Sequence, residues 1–183
     1  SFSPRHCIFT VCSGKVNITC LSFHAPPFVS KAEVVRFWKI IQDALDKIGG
    51  AFLLIAFIDA NGQVGSSQCS AVGDAKADQE NFAGACLRRF CIQNGLFLAN
   101  TFSDIHDGPR HATWTSPNVG EYRIDYAALP LQWRNNDVVA RVPDIEALDV
   151  TYSVRDHFPV SFECKAVFQA GDSICVRRKA IMS

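Results

Sequence analysis

Four short segments carry polar residues whose types and spacing suit phosphate chemistry. Ile58-Asp59-Ala60-Asn61-Gly62 puts a carboxylate and an amide two residues apart at the exit of an apolar run. In an extended strand such residues face the same side, so both can address one ligand; the segment reads equally as an ordinary turn. Ser22-Phe23-His24-Ala25-Pro26 leaves a histidine where a proline stops a strand, a place for a site residue or a plain surface or capping histidine. Arg123-Ile124-Asp125-Tyr126 sets a carboxylate among apolar neighbours, and a buried carboxylate needs a partner. Arg155-Asp156-His157-Phe158-Pro159 offers one. A histidine held by a carboxylate has a fixed tautomer and a favoured imidazolium, which suits contact with a phosphate. The same pair also reads as an Asp–His hydrogen bond with no chemistry.

The elements around these segments follow from periodicity and punctuation. His6 to Cys12 and Val16 to Ser22 are β-rich runs joined by Ser13-Gly14-Lys15, a predicted hairpin. Ser30 and Glu33 form a capping box ahead of Val34, Phe37, Trp38, Ile41, Leu45 and Ile48 at helical spacing, with Gly49-Gly50 as the stop. Ala51 to Ile58 is continuously apolar and suits a strand buried on both faces. A Gly/Ser-rich loop from Asp59 to about Asp78 leads to a second helix from Asn81 to Gln93, stopped by Asn94-Gly95. Strands alone are predicted after that: 96–100, 112–115, 122–129, 137–142 and 159–168. Helices early and strands late predict a layered α/β sandwich.

Composition narrows the function classes. The chain has 183 residues, 48% of them hydrophobic, and 18 basic against 18 acidic side chains. That balance gives no global positive field, so contact with nucleic acid must come from a local patch. No apolar run is long enough to span a bilayer, and no signal peptide is evident, so an intracellular protein, nuclear or cytoplasmic, is expected. The eight cysteines include no C-x-x-C pair, which argues against structural zinc, and most lie in apolar patterns, as free thiols of a reducing compartment do.

Taken in order, the motifs resemble the endonuclease/exonuclease/phosphatase superfamily, above all the endonuclease domains that precede reverse transcriptase in non-LTR retroelements. The resemblance runs from about residue 6 to 168. It is carried by His24-Ala25-Pro26, Asp59-Ala60-Asn61 with Val64-Gly65, Asn81 opening a helix, Asn94-Gly95-Leu96 and Asn100-Thr101-Phe102. Thr113-Trp114-Thr115-Ser116-Pro117, Ile124-Asp125-Tyr126 and Asp156-His157-Phe158-Pro159-Val160 complete it. It implies a four-layer α/β sandwich, two packed mixed sheets flanked by helices, over residues 1–170, followed by a basic tail, 171–183. It also implies hydrolysis of a phosphodiester, with DNA as the substrate and Mg²⁺ or Mn²⁺ as cofactor. Asp59 would orient the attacking water and Asn61 the water or the phosphate. His157, oriented by Asp125, and His24 would contact the phosphate. Asp156 would lie at the metal, and Trp114 and Arg155 would line the nucleic-acid groove, although Trp114 reads equally as core.

The sequence departs from the family pattern in three places. G-D-F-N appears as Ile58-Asp59-Ala60-Asn61, and S-D-H as Arg155-Asp156-His157. The family's early metal-binding glutamate has no counterpart, because residues 1 to 23 contain neither Glu nor Asp. An N-terminally truncated domain, weak metal binding and poor nuclease activity are therefore expected. A non-catalytic module on the same fold is the alternative, and a lipid or inositol phosphate phosphatase a third. Oligomeric state is not legible. Titration of the denatured, unreduced protein with a thiol reagent is expected to recover most of the eight cysteines; recovery of two or fewer would contradict the core placement.

Overall fold

The computed structural model describes residues 2–3, 5–13, 16–27, 30–48, 53–65, 68–116, 118–143 and 156–165. Arg155, Gly49-Gly50, Cys175 and the basic tail lie outside them. Strands β1 (Phe2–Ser3), β2 (His6–Ser13), β3 (Val16–His24), β4 (Leu53–Asp59), β5 (Leu96–Leu98) and β8 (Asp125–Pro130) form a mixed sheet in the order β1-β2-β3-β4-β8-β5. Only β3 and β4 run parallel in it; the other neighbours are antiparallel. A two-stranded sheet of β9 (Val138–Arg141) and β10 (Ser161–Cys164) and a hairpin of β6 (Trp114–Ser116) and β7 (Gly120–Tyr122) complete the strands.

The helices α1 (Lys31–Asp46) and α2 (Phe82–Gln93) start where the sequence places them, because each has a side-chain cap. Ser30 Oγ accepts from Glu33 N at 3.2 Å and Asn81 Oδ1 from Gly84 N at 2.9 Å. Both helices cover one face of the large sheet. Strand alternation sorts β4 cleanly: Leu54, Ala56 and Ile58 pack with the helices, whereas Ile55 and Leu53 join β9 and β10 on the other face. The expected sandwich of helices and two sheets is thus present. Its second sheet has two strands among the described residues and leaves Phe9 and Val11 about half exposed.

The strand-rich half departs from expectation in detail. Residues 96–100 split into β5 and a 3-10 turn, Ala99–Thr101, because polar side chains take over the local hydrogen bonds. Thr101 Oγ1 donates to the Leu98 carbonyl at 2.7 Å, and Asn100 Oδ1 accepts from Ala127 N. Residues 122–129 split at Arg123 into β7 and β8. A second 3-10 turn, Leu131–Trp133, falls where no element is expected, and β10 begins at Ser161, two residues later than predicted, with residues 166–168 of that prediction outside the described residues.

The loop after β4 is clamped to the start of α2. Asn81 Oδ1 also accepts from Gln63 N, and Asn81 N donates to the Gln63 carbonyl at 3.1 Å. A Cβ on Gly84 would lie 1.7 Å from that carbonyl oxygen. Gly→Ala inside a helix ordinarily gains up to about 1 kcal/mol. Here the clash reverses the sign: Gly84→Ala is expected to destabilise by about 1–3 kcal/mol in urea unfolding, as overpacking does. A stabilised variant would contradict the clamp.

Candidate active site

Register across three adjacent strands brings the candidate residues together. His24 on β3 is directly opposite Asp59 on β4, and Asp59 is directly opposite Asp125 on β8. His24 Nε2 lies 3.5 Å from Asp59 Oδ2, and His157 Nδ1 lies 3.1 Å from Asp125 Oδ2. The row therefore reads His24–Asp59–Asp125–His157, two carboxylates flanked by two imidazoles. Main-chain bonds lock it: Ala25 N donates to the Asp59 carbonyl at 2.7 Å and Ala60 N to the Ile124 carbonyl at 2.8 Å.

Asn61 joins from the turn. It adopts a left-handed φ of 43°, a conformation asparagine tolerates better than most residues. Its main-chain N–H donates to Asp59 Oδ1 at 3.1 Å, and its side-chain amide donates to the Ala25 carbonyl at 2.8 Å. Both readings of the D-x-N-G segment hold at once: it is a turn, and it sits at the site. Gly62 completes the turn against α2, its carbonyl accepting from the buried Tyr126 hydroxyl at 3.0 Å.

His157 arrives on a separate segment. That segment pairs with β6 through a bridge between Trp114 and His157, with Thr115 N donating to the Asp156 carbonyl and Phe158 N to that of Thr113. Trp114 is half-buried, stacked on Tyr122 with centroids 6.1 Å apart, so it is an aromatic wall beside His157 as well as packing. The described ligand-capable atoms that lie within 4.8 Å of one another belong to Asp59, Asp125 and His157. Asp156, expected at the metal, is exposed, and its carboxylate is not in that group.

Burial and the facing Asp59 push the Asp125 carboxyl up to about 6, burial most, against the opposing pull of the Thr113 hydroxyl and His157. Two residues to which sequence reasoning assigns no task hold this carboxylate's strand. Asn100, fully buried, donates to the Asp125 carbonyl at 3.0 Å. Thr113, also fully buried, accepts from Ile124 N and Asp125 N. Their available signal was polarity inside otherwise apolar strand patterns.

The site has oxygen donors from two half-buried carboxylates, with the nitrogen of one imidazole beside them. That donor set fits a divalent cation of the Mg²⁺ or Mn²⁺ type, which is commonly bound by one or two carboxylates. No helix of the described residues is long and apolar enough to cross a membrane.

Comparison with known proteins bears on the fold that carries this site. No family model matches. A stretch of 124 residues is 34% identical to craniofacial development protein 2 of Bos taurus, covering 66% of this chain and 21% of that protein. The chain thus spans about a fifth of the length of the curated relatives it matches. Among solved structures, the endonuclease domain of TRAS1, a telomere-specific non-LTR retrotransposon, superposes with a TM-score of 0.59 at 17% identity, over 88% of this chain and 64% of that one. The 3′ phosphatase NExo from Neisseria, bound to product DNA hairpin, gives 0.52 at 14% identity, over 90% and 66%.

The raised Asp125 carboxyl has a consequence for stability. Its protonated form is favoured in the folded chain, so its contribution is fully present below the unfolded value of 3.8 and is lost as pH rises to about 6. Above that, the buried carboxylate is a standing cost of up to about 3 kcal/mol. Asp125→Asn is expected to melt higher than wild type at pH 7.5 in metal-free buffer, the gap closing towards pH 4. A variant that melts lower at pH 7.5 would contradict the burial argument.

Proposed function

We propose, from the endonuclease/exonuclease/phosphatase-like fold as premise, that the protein is a metal-dependent phosphodiesterase of the retroelement endonuclease type, acting on DNA. The single observation that carries the reading is the row His24–Asp59–Asp125–His157, with Asn61 at its side. A nuclease-like fold alone is compatible with many activities. A row of two facing carboxylates between two histidines is a poor structural device, because like charges directly opposite destabilise a sheet.

Each side chain then has a task. His157, with Nδ1–H donated to Asp125, offers Nε2 to a phosphate oxygen, and its imidazolium offsets the charge that builds up there. His24, 59% exposed, stands at the other end of the row, where it can meet a second phosphate oxygen. Asp59 takes up the proton of an attacking water and orients it, with its Oδ1 held by Asn61 N. Asn61 fixes the turn that presents Asp59. Asp59 and Asp125 would hold a divalent cation. The cation would supply charge neutralisation at the phosphate and a more acidic water. Trp114, beside His157, would lie against the sugar or a base.

The test is plasmid nicking with Mg²⁺ or Mn²⁺. Slow nicking is expected from wild type, reduced roughly 10²-fold or more in His157→Ala, as loss of an oxyanion donor does. Asp59→Asn is expected to be equally damaging. Equal nicking by wild type and His157→Ala would contradict the proposal.

A further inference from the structure

Thr113 ties the two halves of the site to each other. It is 0% exposed and uses every polar group it has. Its Oγ1 accepts from Ile124 N at 3.0 Å and from Asp125 N at 2.9 Å. Its N–H donates to the Tyr122 carbonyl at 2.9 Å, and its carbonyl accepts from Phe158 N at 2.7 Å. One residue therefore contacts the main chain of β7, the start of β8 at Asp125, and the segment that carries His157.

This geometry is more specific than packing needs. β7 ends at Tyr122 and β8 begins at Asp125, so Arg123 and Ile124 leave the ladder between them. Across that break two part-buried N–H groups lack strand partners, and the Thr113 hydroxyl oxygen receives both. The shorter of the two bonds, 2.9 Å, holds the main chain of Asp125 itself. Asp125 Oδ2 is the atom 3.1 Å from His157 Nδ1. The hydroxyl oxygen thus fixes the main chain that carries the Asp125 carboxylate, while the Thr113 carbonyl fixes the neighbour of His157.

We infer that Thr113 is a positioning residue, whose hydroxyl holds Asp125 at the distance and angle His157 requires. The inference deepens the phosphodiesterase reading and rests on it for the consequence in rate. Valine keeps the shape of threonine and removes the oxygen, leaving two part-buried N–H groups without a partner. Serine keeps the oxygen and loses only a methyl group. A displacement of Asp125 near 1 Å is enough to cost roughly 10²-fold in rate.

The experiment uses the full chain and two readouts. The first is the downfield ¹H resonance of His157 Nδ1–H, assigned by its loss in His157→Ala. The second is Mn²⁺-dependent plasmid nicking. Wild type and Thr113→Ser are expected to show the resonance, and Thr113→Val to lack it, with nicking retained by Ser and reduced at least about tenfold in Val. Thr113→Cys, whose thiol is a weak acceptor, replaces Thr113→Val if that variant does not fold. A resonance that persists in Thr113→Val or Thr113→Cys, or that is lost in Thr113→Ser, overturns the inference. So does its absence from wild type. Failure of wild type to nick DNA while the resonance follows the hydroxyl would overturn the phosphodiesterase reading and leave the positioning role standing.

Discussion

Two carboxylates face each other across neighbouring strands, and the rest of the structure is arranged around that repulsion. Asp59 on β4 and Asp125 on β8 are partners in the antiparallel ladder, so neither can move without breaking sheet register. Each carboxylate has an imidazole beside it, His24 from β3 against Asp59 and His157 from a separate segment against Asp125. Burial of Asp125 raises its proton affinity, which lets the chain fold with one charge fewer below about pH 6. A group held at such a cost is a mark of a working site more than of a scaffold.

Register is kept by features far from any chemistry. The helix face of the sheet is packed by Ile8, Leu21, Phe23 and Ile58 against Phe37, Trp38, Ile41 and Phe90. A slip by one residue would turn these into the small second sheet and bring Phe57 into the helices. Gly84 and Asn81 hold the turn that follows Asp59, and the buried Arg123 ties the strand break before Asp125 to the carbonyls of Ala75, Lys76 and His111. Core packing, a helix cap and a buried cation thus act on the same few ångströms.

Much of this was legible in the residues themselves. Ser30 and Asn81 announce the helices because a capping side chain must come from a short list of residue types. The apolar run before Asp59 announces β4. The order of the motifs carried the fold expectation, since no single one is specific. Pairing was not legible: nothing in His24-Ala25-Pro26 says that its strand runs parallel to β4 with the histidine opposite Asp59. Nor was the break at Arg123, which depends on carbonyls some 48 residues away along the chain. Asp156 shows a different limit. Its place beside His157 suggests the metal, yet adjacent residues of an extended segment point to opposite sides. Proximity in sequence did not put its carboxylate into the group formed by Asp59, Asp125 and His157.

The central claim is that the facing carboxylates exist to share a cation. Crystals soaked in MnCl₂ at pH 7.5, with data collected at a wavelength where manganese scatters anomalously, test it most directly. The account predicts one strong anomalous peak within coordination reach of both Asp59 and Asp125. No peak there, with the two carboxylates still paired in register, would contradict it.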